Sequence, residues 1–366
     1  MKVALMGASG FIGSRMVEMF HLGGLGKIRP IVRSFGGFAR LARFDLDCKI
    51  ADAADERALT AAFAGCDFVV HAVHGHPAIV ESSIPPSYRA ACAAGVKRLV
   101  YLSTASVHGQ APAPGTDERS PLNDRQPVDY NNRKVRAERL LLRERAREAV
   151  EVVILRPGIV FGPRDRWVSG IAQELLRGTA YLVSGGTGIC NSIYVDNLVQ
   201  AIHLALTASH ADREAFLVGD AETVMWAELY EQIAVALGKP VTEIHRVAKP
   251  EFRQSWKDRM EYFRSLKLTQ AALPLFPAKI KRAAKAALIA WPEPTKQSAW
   301  ALAGKPAPMV TREMAELHQC QYRLPYDKAK RLLGYEPRVT FEEGCRRSIE
   351  WLRFAEFPVW NGNGLQ

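Results

Sequence analysis

The chain is predicted to fold as a doubly wound parallel β-sheet with helices on both faces, followed by a smaller, mostly helical C-terminal lobe. Three observations predict this. Short, near-continuous apolar runs alternate with amphipathic ones through the first 160 residues. Strands buried on both faces read this way. The first apolar run leads straight into Gly7-Ala8-Ser9-Gly10-Phe11-Ile12-Gly13, a glycine turn between a strand and a helix. The alternation then loosens after residue 225.

Residues 3–6 read as the first strand and 14–22 as the first helix, stopped by Gly23, Gly24 and Gly26. Residues 28–32 are a second strand. Residues 59–64 are helical, and 67–72 (Asp-Phe-Val-Val-His-Ala) form a buried strand. A helix over 88–94 precedes a strand over 98–103. A long charged helix spans 132–148, and a strand over 152–156 ends at Pro157. Residues 226–237 read as a helix ending at Gly238. Leu333-Gly334-Tyr335-Glu336-Pro337 reads as a turn before an amphipathic helix over 341–353. The stretch 249–312 is rich in Pro, Lys, Arg and aromatics, and without period-two alternation it reads as a helical insertion.

With 366 residues, 48% hydrophobic and 24% charged, the chain has room for two lobes and a large core. Six Cys are scattered without a C-x-x-C pair, so neither a zinc site nor a disulfide framework is expected, and a reducing cytoplasm fits. No apolar run approaches the length of a membrane span. The apolar start of the chain runs into glycines, which suits a buried strand better than a signal peptide.

The net charge of +11 is uneven. Residues 241–310 hold 13 Lys/Arg against 5 Asp/Glu, a net of +8. Such a patch suits an anionic substrate, an acidic lipid surface or nucleic acid, or is a solvated basic face. Within 278–291, Lys279, Lys281, Arg282 and Lys285 interleave with Ile280, Ala286, Leu288 and Ile289. That pattern fits a basic amphipathic helix, used either as a lid over a pocket or as a peripheral membrane contact. No aromatic platform for single strands is visible, and no nucleic-acid partner is expected.

The chemistry starts at the glycine turn. Backbone N–H groups of such a turn, with the helix N-terminus behind them, face a pyrophosphate. The second strand ends in Arg33, with Arg40 and Arg43 soon after. An acidic residue here usually holds the adenosine ribose diol. A cation instead pairs with a 2′-phosphate, which favours NADP(H) over NAD(H). Tyr130 and Lys134 are four apart and share one helix face. A Lys ammonium beside a phenol is expected to lower the phenol's pKa and let it move a proton. Cofactor and proton donor together are the minimum for hydride transfer at a carbonyl carbon.

Five motifs in order carry a resemblance: Gly7-x-x-Gly10-x-x-Gly13; Leu99-Val100-Tyr101-Leu102-Ser103-Thr104; Tyr130-x-x-x-Lys134; Leu155-Arg156-Pro157-Gly158-Ile159-Val160-Phe161-Gly162-Pro163; and Tyr194-Val195-Asp196-Asn197. The chain resembles the extended short-chain dehydrogenase/reductase family, which includes NAD-dependent epimerases and dehydratases, over roughly 1–240 and again over 325–353. The resemblance implies a Rossmann-type fold with a dinucleotide-binding domain at 1–225. Residues 165–190 contribute to the cleft, and 226–366 form the substrate lobe. It implies that Tyr130 is the acid/base, that Lys134 binds the nicotinamide ribose, and that Thr104, or its neighbour Ser103, holds the substrate oxygen. Gly7, Ser9, Gly10, Phe11, Ile12 and Gly13 would cradle the cofactor phosphates, with Arg33 and Asp52 at its adenosine end. Ala72 and Val73 would pass along it, and Pro157, Gly158, Ile159 and Val160 would line the nicotinamide. Many relatives carry an Asn in the helix before the Thr104 strand. This chain has no Asn before Asn123, which leaves that role vacant or filled by water. His74, His76 and His108 receive no role.

The leading expectation is NADP(H)-dependent interconversion of an alcohol and a carbonyl on a small-molecule substrate, with a homodimer as a possible assembly. One alternative is a nucleotide-sugar epimerase or dehydratase holding NAD tightly. Another is a non-catalytic NADP-sensing or nucleic-acid-binding module, against which an intact Tyr130 and Lys134 argue.

Overall fold

The computed structural model describes residues 1–250 and 307–360. Seven strands form the main parallel sheet: β1 (Lys2–Met6), β2 (Lys27–Val32), β3 (Lys49–Ile50), β4 (Phe68–His71), β5 (Arg98–Leu102), β6 (Glu151–Pro157) and β11 (Glu214–Val218). Their spatial order is β11-β6-β5-β4-β1-β2-β3, and every neighbouring pair is parallel. The order reverses at β1, where the chain winds outward in both directions. In such sheets ligands lie beyond the carboxyl ends of the strands at this switch.

The connections are helical. They are α1 (Phe11–Leu22), a short α2 (Phe35–Phe38), α3 (Glu56–Phe63), α4 (Pro77–Ser82), α5 (Ile84–Ala93), α6 (Asp129–Arg145), α7 (Arg166–Arg177) and α8 (Val195–Thr207). Two apolar layers cover the sheet. One packs α1 and α8 on Val3, Leu5, Val100, Val153 and Leu155. The other packs α3, α5 and α6 on Ala4, Met6, Val69, Tyr101 and Ile154. Alternate residues of the same strands serve opposite faces, so strand burial is continuous, as the apolar runs predict.

The expected strands and helices are present, with differences that have physical reasons. The α6 helix starts at Asp129 and not at 132, with Val128 as its extended N-cap residue. Asp129 sits in its first turn, where a carboxylate suits the helix dipole. This puts Tyr130 inside the helix, so Tyr130 and Lys134 do share a face. The strand β11 has no counterpart in the sequence reading. It is short and begins with a Glu, yet it pairs with β6 over five residues and forms the sheet edge.

Small strand pairs build the second lobe: β7 (Ile159–Phe161) with β10 (Ser192–Tyr194), β9 (Ile189–Cys190) with β12 (Val224–Met225), and β8 (Tyr181–Val183) with β13 (His245–Val247). With α7 they surround α9 (Trp226–Ala236), whose Trp226, Leu229, Tyr230 and Ile233 are buried. The last elements are α10 (Arg312–Leu317), α11 (Asp327–Leu333) and α12 (Phe341–Phe354). The α11 helix returns to the main sheet, with Ala329, Leu333 and Tyr335 in the α1/α8 layer. The greater part of the basic insertion, including 278–291, lies outside the described residues. No described helix is long and apolar enough to cross a membrane.

Candidate active site

The glycine turn is built by sterics. Gly7 has φ +78°, and a Cβ there would stand 2.4 Å from the Ala72 carbonyl oxygen. Only Gly tolerates both, so the turn lies directly against the Ala72–Val73 peptide at the end of β4. Gly10 is the N-cap residue of α1, its N–H donating to Gly7 O at 3.0 Å. No acidic residue occupies the first turn of α1, which leaves the positive helix end suited to phosphate. Phe11 and Ile12 lie half-buried against the second lobe, and Gly13 is buried. Arg33 stands exposed just after β2. Ser9 O accepts from Arg40 at 2.9 Å. Asp52 is exposed two residues past β3, its carboxylate accepting from Ala54 N–H at 2.8 Å.

On the other side of the switch, the β5 strand runs into Ser103 and Thr104. Thr104 is half-buried at the N-terminus of a short 3₁₀ turn, Ala105–His108, and its Oγ1 accepts from Ser106 N–H at 3.2 Å. Ser103 is buried and its hydroxyl donates to Glu138. Glu138 in turn holds Arg156, with Nη2···Oε2 at 2.6 Å and Nε···Oε1 at 3.1 Å. Arg156 Nη1 also lies 3.2 Å from His108 Nε2 and donates to Glu118 O at 3.1 Å. Ser103 is thus committed to a buried ion-pair network, whereas the half-buried Thr104 hydroxyl makes only the bond from Ser106 N–H among the described residues. His108 belongs to the same network.

Lys134 is buried, and its Nζ donates to Leu102 O at 2.6 Å. Its Nζ lies 5.9 Å from the centre of the Tyr130 ring. Burial pushes the Lys134 ammonium down to about 7, against a smaller opposing pull from Glu138. Burial also pushes the Tyr130 phenol up to about 12, with Arg166 opposing and Glu313 reinforcing the rise. The expected depression of the phenol by Lys134 is therefore not realised in this state. Desolvation is the main cause of the shift in each group. His74, given no role from the sequence, stands edge-on to Tyr130 with ring centres 5.3 Å apart. No sequence signal marked it, because the contact joins a loop to a distant helix.

The sign of the Lys134 shift gives a pH prediction. The ammonium is present below about 7 and lost above it. If its charge aids nucleotide binding, kcat/KM for the nucleotide, which reports the free enzyme, should fall as pH rises through that value. A flat profile from pH 6 to 9 would contradict it.

Beyond the ends of β5, β6 and β11 lie two small adjoining cavities of about 20 Å³ each. Both include Ala105, Gly158, Ile189, Asn191 and Leu324. A Cβ on Gly158 would meet Asn191 O at 1.9 Å, so this wall is closed by backbone alone. One is largely apolar, with Pro112, Ile159, Trp226 and Leu317. The other is more polar, with Ser192, Asp220, Glu222 and Arg323. Pro157 ends β6, and Val160 pairs with Ile193 in the β7–β10 ribbon.

A doubly wound sheet with this turn, and a Tyr and Lys beside it, defines an NAD(P)-dependent enzyme of the extended short-chain dehydrogenase/reductase type. The family model described as "NAD dependent epimerase/dehydratase family" matches residues 3–219, and the chain belongs to that family. It is 27% identical to the 2-alkyl-3-oxoalkanoate reductase of Stenotrophomonas maltophilia (strain K279a), over 95% of this chain and 98% of that one. It is 24% identical to the decarboxylating sterol-4-alpha-carboxylate 3-dehydrogenase of Candida albicans (strain SC5314 / ATCC MYA-2876), over 96% and 97%. Its fold is similar to that of dTDP-glucose 4,6-dehydratase from Bacillus anthracis solved with NAD, with TM-score 0.69, 16% identity and 97% of each chain covered.

Proposed function

We propose that this protein is an NADP(H)-preferring oxidoreductase that interconverts an alcohol and a ketone on an apolar substrate of the 3-oxo or 3-hydroxy acid type. The observation that carries this reading is the apolar lining of the cavity at the strand ends, which begins at Ala105, next to Thr104, and includes Ile159, Ile189, Trp226, Leu317 and Leu324. A nucleotide-sugar substrate would need more polar walls there, which favours an alkyl or ring system. Two relatives that span nearly the whole chain are named for a 3-oxo acid and for a 4-carboxylate oxidised at carbon 3. In both, the reacting carbon is two bonds from a carboxyl carbon. Arg166, whose cation acts on Tyr130, gives such a carboxylate a counter-charge near the reacting end.

Arg33, Ser9 and the open N-terminus of α1 fit a nucleotide with a 2′-phosphate. When bound, the nicotinamide supplies or accepts the hydride. Tyr130 then donates a proton to the carbonyl oxygen in reduction, and accepts one in oxidation. A phenol held near 12 is protonated at neutral pH, which suits reduction. Thr104 is placed to hydrogen-bond the oxygen as charge develops on it. Lys134 holds the nicotinamide ribose.

Arg33→Asp should weaken NADPH binding at least about tenfold and improve NADH binding, since a charge-assisted contact to phosphate is worth on the order of 1.5–3 kcal/mol. Equal affinity of the unaltered protein for both nucleotides would end the cofactor assignment. The reaction is tested by following NADPH oxidation with a 2-alkyl-3-oxo acid beside UDP-glucose. Turnover of the oxo acid alone supports the reading. Epimerisation of UDP-glucose without net NADPH use would replace it with the epimerase.

A further inference from the structure

We propose that Tyr101 is a positioning residue for Lys134, the face of its ring holding the ammonium charged beneath Tyr130. The oxidoreductase reading enters only through Lys134's place beside the nucleotide. The β4–β5 register sets His71 beside Tyr101, with ring centres 5.4 Å apart. Lys134 Nζ lies 4.7 Å from the centre of the Tyr101 ring, nearer than the 5.9 Å to Tyr130. Both Tyr101 and Lys134 are buried. A buried ammonium with its bond to Leu102 O needs further stabilisation, and a desolvated aromatic face supplies it.

The other groups facing Lys134 do not serve as well. Glu138, on the same helix, is bound to Arg156 and Ser103. His71, at the end of β4, is kept neutral by burial and by Lys134 itself, and its Nε2 lies 3.1 Å from Ser83 Oγ. His74, in the following loop, is likewise held toward its neutral form by burial and by Lys134. Tyr130 is protonated in this state. The Tyr101 hydroxyl is buried and has no hydrogen-bond partner among the described residues. What the site uses is therefore the ring and not the hydroxyl, and that separates two substitutions.

The readout is the pH dependence of NADPH affinity, followed by nucleotide fluorescence, so it stands whether or not any oxo acid is turned over. Tyr101→Phe keeps the ring face and should leave the alkaline fall in affinity where the unaltered protein has it. Tyr101→Leu should move that fall to lower pH by about half a unit or more, given the usual strength of a desolvated cation–π contact. If the Leu variant folds poorly, Phe analogues with increasing ring fluorination at position 101 keep the shape and drain the face of negative potential. The fall should then move stepwise to lower pH. An unmoved fall across the fluorinated series, or a Phe variant as impaired as the Leu variant, would overturn the proposal.

Discussion

Replacing Tyr130 by Phe should cut turnover roughly 100- to 10,000-fold, the usual range for loss of a positioned proton donor. Nucleotide binding should survive. The ring keeps its edge contact with His74 and its place over Lys134, so the glycine turn and α1, proposed to hold the nucleotide, are untouched. Steady-state kinetics beside fluorescence titration of NADPH separate the two quantities. A variant with more than about a third of the original kcat would remove Tyr130 from the chemistry.

The second large effect is on stability. Glu138→Ala should lower the unfolding free energy by roughly 3–5 kcal/mol, because it strands a buried guanidinium. Arg156 is 5% exposed, and its main partner is the bidentate Glu138 carboxylate. The Ser103 hydroxyl loses its acceptor in the same change. Urea unfolding at unchanged slope measures this. A loss below about 1 kcal/mol would mean that water replaces the carboxylate and that the network is not a strut under Thr104.

The strands were legible because each is an unbroken apolar run ending in a turn residue, as in Phe-Val-Val-His before the loop at residue 72. The glycine turn was legible because backbone crowding at Gly7 admits no side chain. The edge strand β11 was not legible. Five residues starting with Glu carry too little pattern, and tertiary pairing with β6 decides it. Within the site, the i,i+4 spacing brought Tyr130 and Lys134 together as expected. Their electrostatics could not be read from spacing, because the desolvation that raises one and lowers the other comes from tertiary packing, which sets Lys134 against Leu102 O and the Tyr101 ring of a strand distant in sequence. The choice between Thr104 and Ser103 was open for the same reason. It turns on Glu138, which reaches Ser103 from α6. The apolar cavity was also out of reach, since Trp226, Leu317 and Leu324 meet there from three separate segments.

The most direct test of net oxidoreduction is isotope transfer. The protein is incubated with NADPH carrying deuterium at the transferred C4 position and a 2-alkyl-3-oxo acid, and the product is analysed by mass spectrometry. The expected result is a 3-hydroxy acid with one deuterium on carbon 3, formed in step with NADP⁺. Unlabelled product, or label retained on the nucleotide while a sugar nucleotide is epimerised, would contradict the account.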